Sequence, residues 1–151
     1  TMNPLGENKG ADLDAVILTK SSGIQFFAVN VEAYTIGSGD PYMLDAWEII
    51  GPPDAFVGWD SGDISQCDGN AGWVALGQGG SIVVRMGGAI EAGDNLTVLE
   101  LSGCTLLSGA GTASDDEIEV FVSVSPEPAG TWELVGGGVG PEISMTIPSL
   151  P

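Results

Sequence analysis

Apolar and polar residues alternate along most of this chain in short runs separated by glycine, proline and acidic turns. The stretch from Trp73 to Met86, WVALGQGGSIVVRM, sets the pattern. Ile82, Val84 and Met86 alternate with Ser81, Val83 and Arg85, the period-two signature of a strand with unequal faces. Gly77, Gly79 and Gly80 permit a tight reversal, so the stretch predicts a central hairpin. Asp14 to Thr19 and Ile24 to Ile36 predict a second hairpin around Ser21-Ser22-Gly23. In its longer strand Phe27, Val29, Val31 and Ala33 are expected to face the core, opposite Gln25, Asn30 and Glu32.

Further strands are predicted over Leu96 to Leu101, Glu117 to Ser125, Thr131 to Val135 and Glu142 to Ile147. Ile118, Val120, Val122 and Val124 line one face of the second of these. Gly136 to Pro141 reads as a loop, and Ala46 to Ile50 has no clear type. No stretch has the period of an amphipathic helix. Eight to ten short strands predict an all-β antiparallel sandwich, jelly-roll-like, with an extended N-terminal arm. The organisation expected is an arm and strand over 1–28 and a sandwich domain over 29–151.

Composition narrows the class. At 151 residues with 43% apolar content the chain is long enough to bury a core. The 24 glycines and 9 prolines are spread between the apolar runs, as turns of a β protein require. Against 21 Asp and Glu stand only Lys9, Lys20 and Arg85, a net charge of −18. That field repels phosphate backbones and anionic lipid, which excludes nucleic-acid partners. No apolar run approaches a membrane span, so membrane insertion by a helix is not expected. A chain that begins at Thr1 without an initiator methionine reads as a processed mature N-terminus. In an exported protein Cys67 and Cys104 are expected to form a disulfide; in a cytosolic one they would be free thiols. Two cysteines and no histidine exclude an ordinary zinc site.

A resemblance rests on a set of motifs: Tyr34 to Gly37, Gly51 to Asp54 (GPPD), Val74 to Arg85, Gly93 to Glu100, Glu119 to Ser123 and Trp132 to Gly136. In this order they resemble a β-sandwich module of bacterial secreted and cell-surface proteins, similar to discoidin-like and carbohydrate-binding jelly rolls. The resemblance covers about Val29 to Leu150. It implies an extracellular or cell-surface location and a non-catalytic role.

Candidate chemistry is sparse. A calcium ion needs several carboxylate and carbonyl oxygens from turns. Asp54, Asp94 and Glu100 are one candidate set, the loop residues Asp60, Asp63 and Asp68 with Asn70 a second, and Asp115, Asp116 and Glu117 a third. Each also suits a turn or a solvated face. Without histidine the usual Ser-His and Cys-His nucleophile pairs are impossible, and no phosphate-binding glycine motif precedes a helix. Catalysis is therefore not expected. For polysaccharide binding Trp59 and Tyr42 are the candidates, since both fall in predicted loops; Trp73 and Trp132 are expected in the core. Arg85 is expected to pair with a carboxylate on a neighbouring strand.

The N-terminal segment suggests assembly. A strand over Ala11 to Lys20 has no evident place in the resembled module. Leu5, Leu13, Val16 and Leu18 are candidates for pinning it into another copy by strand addition. Completion of the chain's own sandwich is the competing outcome. The function expected is an extracellular structural or adhesive subunit that assembles with itself; the alternative is a calcium-dependent carbohydrate-binding module.

Overall fold

The computed structural model describes residues 10–38, 44–54, 72–100, 117–123, 131–139 and 142–149. It is nearly all β and antiparallel, a sandwich-like fold. The first hairpin forms as expected. Strand β1 (Asp12–Thr19) turns at Ser21 to Gly23 into β2 (Gln25–Thr35), with Gly23 at φ +87°. The turn is closed by the Lys20 N–H donating to the Ile24 carbonyl at 2.8 Å.

β1 is the middle of the main sheet. One of its sides pairs along nearly its whole length with β5 (Asn95–Glu100). On the other side its C-terminal half pairs with β2 and its N-terminal end with the short β3 (Val74–Ala75). With β4 (Ser81–Met86) and β8 (Glu142–Thr146) the sheet order is β4-β2-β1-β5-β8. Strands β6 (Glu117–Val122) and β7 (Glu133–Val139) form a separate two-stranded sheet. Ala46–Ile49 is a single 3-10 turn, capped by the Asp45 carboxylate.

The core lies between the main sheet and the β6–β7 pair. Leu13, Val16, Leu18, Leu96, Val98 and Ile143 are buried from the sheet, and Ile118 and Val122 from the pair. Ile82, Val84 and Met86 pack against this cluster while Ser81 and Arg85 are exposed, the faces that β4's alternation predicts. The same holds for Ile118, Val120 and Val122 on β6.

Four features bear on the expectations. First, of the two outcomes open for the strand over Ala11 to Lys20, the structure has Leu13, Val16 and Leu18 in the chain's own core, and β2 runs through residues 28 and 29. Second, β3 and β4 do not pair with each other. β3 pairs with β1 and β4 with β2: the chain does turn at Gly77 to Gly80, where the Gly80 N–H donates to the Gly77 carbonyl at 3.1 Å, but the turn joins strands with different partners. Gln78 bridges Ser38, and a side chain on Gly37 or Gly80 would overlap the carbonyl oxygen of Gln78 or of Leu76. Glycine is required there for close backbone approach.

Third, β2 does not alternate strictly. Its register with β4 shifts between Ala28 and Asn30 and again between Val31 and Ala33. Such bulges rotate the faces, so Phe26, Ala28, Val31 and Tyr34 turn to the core and Val29 is 54% exposed. Gly51 donates to the Ala28 carbonyl at 3.1 Å, next to the first shift. Fourth, Gly136 to Gly138 are not a loop but continue β7 opposite β6. Their lack of side chains lets the strand lie over β8. A Cβ on Gly136 would sit 3.3 Å from the Met145 Cβ, and one on Gly138 3.5 Å from Ile143 Cγ2.

Candidate functional site

Among the described residues, the acidic side chains singled out from the sequence do not gather around one point. Asp94 closes the turn before β5, where its Oδ2 accepts from Lys20 Nζ at 2.6 Å and from the Glu91 N–H at 2.8 Å. Lys20 also donates to Glu91 Oε2 at 2.8 Å and to the Ala89 carbonyl at 2.9 Å. The hydrogen bonds that Lys20 donates to Asp94 and Glu91 hold its pKa above the usual value. Burial alone would push the Asp94 carboxyl up. The Lys20 ammonium and backbone N–H groups outweigh it, and the net pKa lies below the ordinary one. Asp94 is thus committed to a latch that ties the β1–β2 turn to the β4–β5 turn.

Glu100 lies at the opposite end of β5, buried and opposite Leu13. Six strand steps separate it from Asp94, about 20 Å, so one ion cannot take both. Asp54 donates its backbone N–H to the buried Asp14 carboxylate at 3.1 Å. Asp14 occupies the register shift between Leu13 and Ala15. Among the described residues no three acidic side chains are grouped to hold a metal. Leu5, Tyr42, Trp59, Asp60, Asp63, Cys67, Asp68, Asn70, Cys104, Asp115 and Asp116 lie outside the described residues. Glu117 is exposed at the start of β6.

Two further placements bear on recognition. Arg85 reaches across to Glu32 on β2 at 3.0 Å, the cross-strand pair expected of it. Trp73 is fully buried as expected, but Trp132 is 40% exposed, because it lies just before β7 at the open side of the β6–β7 pair.

A groove of about 880 Å³ lies between the two sheets. Every residue of β4 and every residue of β6 lines it, whichever way its side chain alternates. The groove therefore runs along the backbone edges of both strands. Among the described residues β4 pairs only with β2 and β6 only with β7, and no described strand covers the second edge of either. Leu13, Val16, Leu96 and Val98 form the apolar floor. Charge is confined to Glu32, Arg85, Glu117 and Glu119, and Phe121 and Trp132 are half-exposed at the side.

Chemically this arrangement suits an extended chain. The walls present backbone donors and acceptors at strand spacing, with the half-exposed Phe121 and Trp132 beside them, over a floor that is already buried in the core. The alternation of β4 and β6 marked their apolar faces but not this slot, which arises from two edges brought together by distant pairings. Comparison with protein-family models, with curated proteins and with solved structures finds no match to this chain.

Proposed function

We propose that this protein is a non-catalytic structural or adhesive subunit of the cell exterior that joins copies of itself by strand addition. The observation that carries the reading is the apolar groove with an open strand edge on either side. An open edge is a template for another chain, and the exposed Phe121 and Leu134 beside it are apolar surface that such a contact would cover. The motif resemblance to secreted β-sandwich modules supports an exterior setting. With a net charge of −18, copies repel one another at low ionic strength, so assembly should strengthen as salt is added.

The test is the mass in solution by light scattering, at low and high salt, with and without EDTA. Large particles that form with salt and ignore EDTA support strand addition. Particles that dissociate in EDTA support calcium at the contacts. A monomer under every condition overturns the reading.

A second reading, a carbohydrate-binding module, draws on the half-exposed Trp132 and Phe121 beside the groove, since sugar rings stack on exposed aromatic faces. It predicts a monomer retained on insoluble polysaccharide and released by Trp132→Ala. No retention on any polysaccharide tried would remove it.

A further inference from the structure

On the side of the β6–β7 pair away from the core, apolar and acidic groups stand together. Alternation along β6 turns Ile118 and Val122 inward and Glu117, Glu119 and Phe121 outward. The register sets Val139 opposite Glu117, Gly137 opposite Glu119 and Leu134 opposite Phe121. All six positions are exposed, with Phe121, Leu134 and Val139 at 46%, 54% and 57%. Rows on one face of a strand lie about 7 Å apart, so the three rows make a strip about 14 Å long. Its middle is hollow. A Cβ on Gly137 would overlap the Ile118 carbonyl oxygen, so no side chain rises there between Leu134 and Val139.

We propose that this face docks a basic, amphipathic segment of another protein. In an extended chain the segment carries two cationic side chains two positions apart and an apolar one two positions further on. Its cations meet Glu117 and Glu119, and its apolar side chain covers Phe121 and Leu134. Charge complementarity selects this occupant. Among the described residues neither Glu117 nor Glu119 has an ion-pair or hydrogen-bond partner, while Lys20 and Arg85 are committed to carboxylates elsewhere. A second copy laid face to face would bring two more carboxylates to the strip, on a chain of net charge −18. A lysine or arginine brings the missing charge, and its aliphatic stem fits the Gly137 hollow against Leu134 and Val139. Exposed ion pairs contribute little alone, and apolar contact alone does not select a sign, so the site requires both. The contact lies above the plane of the pair, whereas strand addition extends that plane. The proposal and the self-assembly reading therefore stand or fall separately.

The probe is a blocked synthetic peptide in a serine background, with two lysines at alternate positions and a leucine two positions after the second. It carries a terminal fluorophore, and a second batch has photo-leucine in place of leucine. Anisotropy gives the dissociation constant, and irradiation maps the contact whether the protein is monomeric or assembled. The expected cross-link falls in β6 or β7, at or beside Phe121 and Leu134. Serine in place of the leucine, or glutamate in place of the lysines, should weaken binding at least about tenfold.

On the protein, Glu117→Gln with Glu119→Gln, and Phe121→Ala with Leu134→Ala, should each cost at least about tenfold in affinity. All four side chains are exposed, so the β circular-dichroism spectrum should persist. The control, Glu48→Gln with Glu142→Gln, removes the same charge from exposed positions outside the strip and should change affinity less than about twofold. An equal loss in both charge variants would reduce the attraction to net charge and overturn the proposal. Equal binding of the peptide without leucine, cross-links centred on another surface, or no binding would overturn it as well. The peptide comparisons need no change in the protein, so they decide the matter even where a variant fails to fold.

Discussion

Replacing Leu18 by alanine separates a core role from an assembly role. Leu18 is fully buried, at 0% exposure. It stands in the middle of the sheet, paired with Phe26 of β2 on one side and Leu96 of β5 on the other. Burial of a leucine side chain contributes about 1.5–3 kcal/mol by transfer alone. Truncation also leaves a cavity, which brings buried Leu→Ala changes to about 3–5 kcal/mol. With hydrogen-bonded backbone on both sides, this site has little room to collapse, so a loss of about 4 kcal/mol is expected. Against a total of about 5–15 kcal/mol that is a large share. With a urea slope of about 2 kcal/mol per molar, the midpoint should fall by about 2 M. The assay is urea unfolding followed by tryptophan fluorescence, at several protein concentrations and at low salt. A midpoint shift below about 0.5 M, or one that vanishes on dilution, would refute the placement of Leu18 in its own chain's core.

Other outcomes follow from single contacts. Tyr34→Phe removes the phenol that donates to the Ala75 carbonyl at 2.5 Å and joins β2 to β3; a loss of about 1 kcal/mol is expected in the same urea assay. Gly80→Ala should destabilise more than Gly79→Ala. The first forces a methyl onto the Leu76 carbonyl, whereas the second has open space and meets only a φ of +71°, at about 1–2 kcal/mol. The Asp94 pKa lies below its unfolded value, so the folded state binds fewer protons and the latch stabilises above about pH 4. That stability is lost as pH falls through the folded pKa, and Lys20→Met should flatten this part of an acid-unfolding curve. Lys20 is raised above its usual value of 10.5, so its share is full below pH 10.5 and lost only as pH rises beyond it. Arg85→Ala breaks a largely exposed pair and should cost less than about 1 kcal/mol by thermal unfolding.

Most strands were legible because their apolar residues recur at period two. β5, β6 and β8 begin within one residue of where the pattern puts them, and the β1–β2 turn is marked by Ser-Ser-Gly. What the pattern missed depends on partners far away in the chain. The bulges in β2 arise where it leaves β1 for β4, and no local spacing announces that change of partner. The glycines near Gly77 signalled a turn, yet their requirement comes from the crossing chain at Gly37 and Ser38. Gly136 to Gly138 look like a loop until the side chains of Ile143 and Met145 fill their missing volume. The site was less legible than the fold. Lys20 and Asp94 are 74 residues apart, and their scarcity of alternatives was the one clue: a chain with three cations has few ways to neutralise a buried carboxylate. The edges of β4 and β6 line one groove through pairings to strands far away in the chain.

The central position of β1 has a consequence for synthesis. Its flanking strand β5 lies about 80 residues further along the chain, which at about 5–20 residues per second takes roughly 4–16 s to emerge. Until then β1 has the hairpin with β2 and, once it emerges, the short β3 on that same side, and the run Ala15 to Leu18 presents an apolar edge to whatever is nearby. Topologies of this kind fold slowly because distant segments must meet first. Asp12 and Asp14 on one side of that run and Lys20 on the other are charges of the sort that keep exposed strands apart. Two of them take on second duties in the finished fold: Asp14 holds the Asp54 backbone, and Lys20 closes the latch. The same side chains thus guard the nascent strand and fasten the mature sheet.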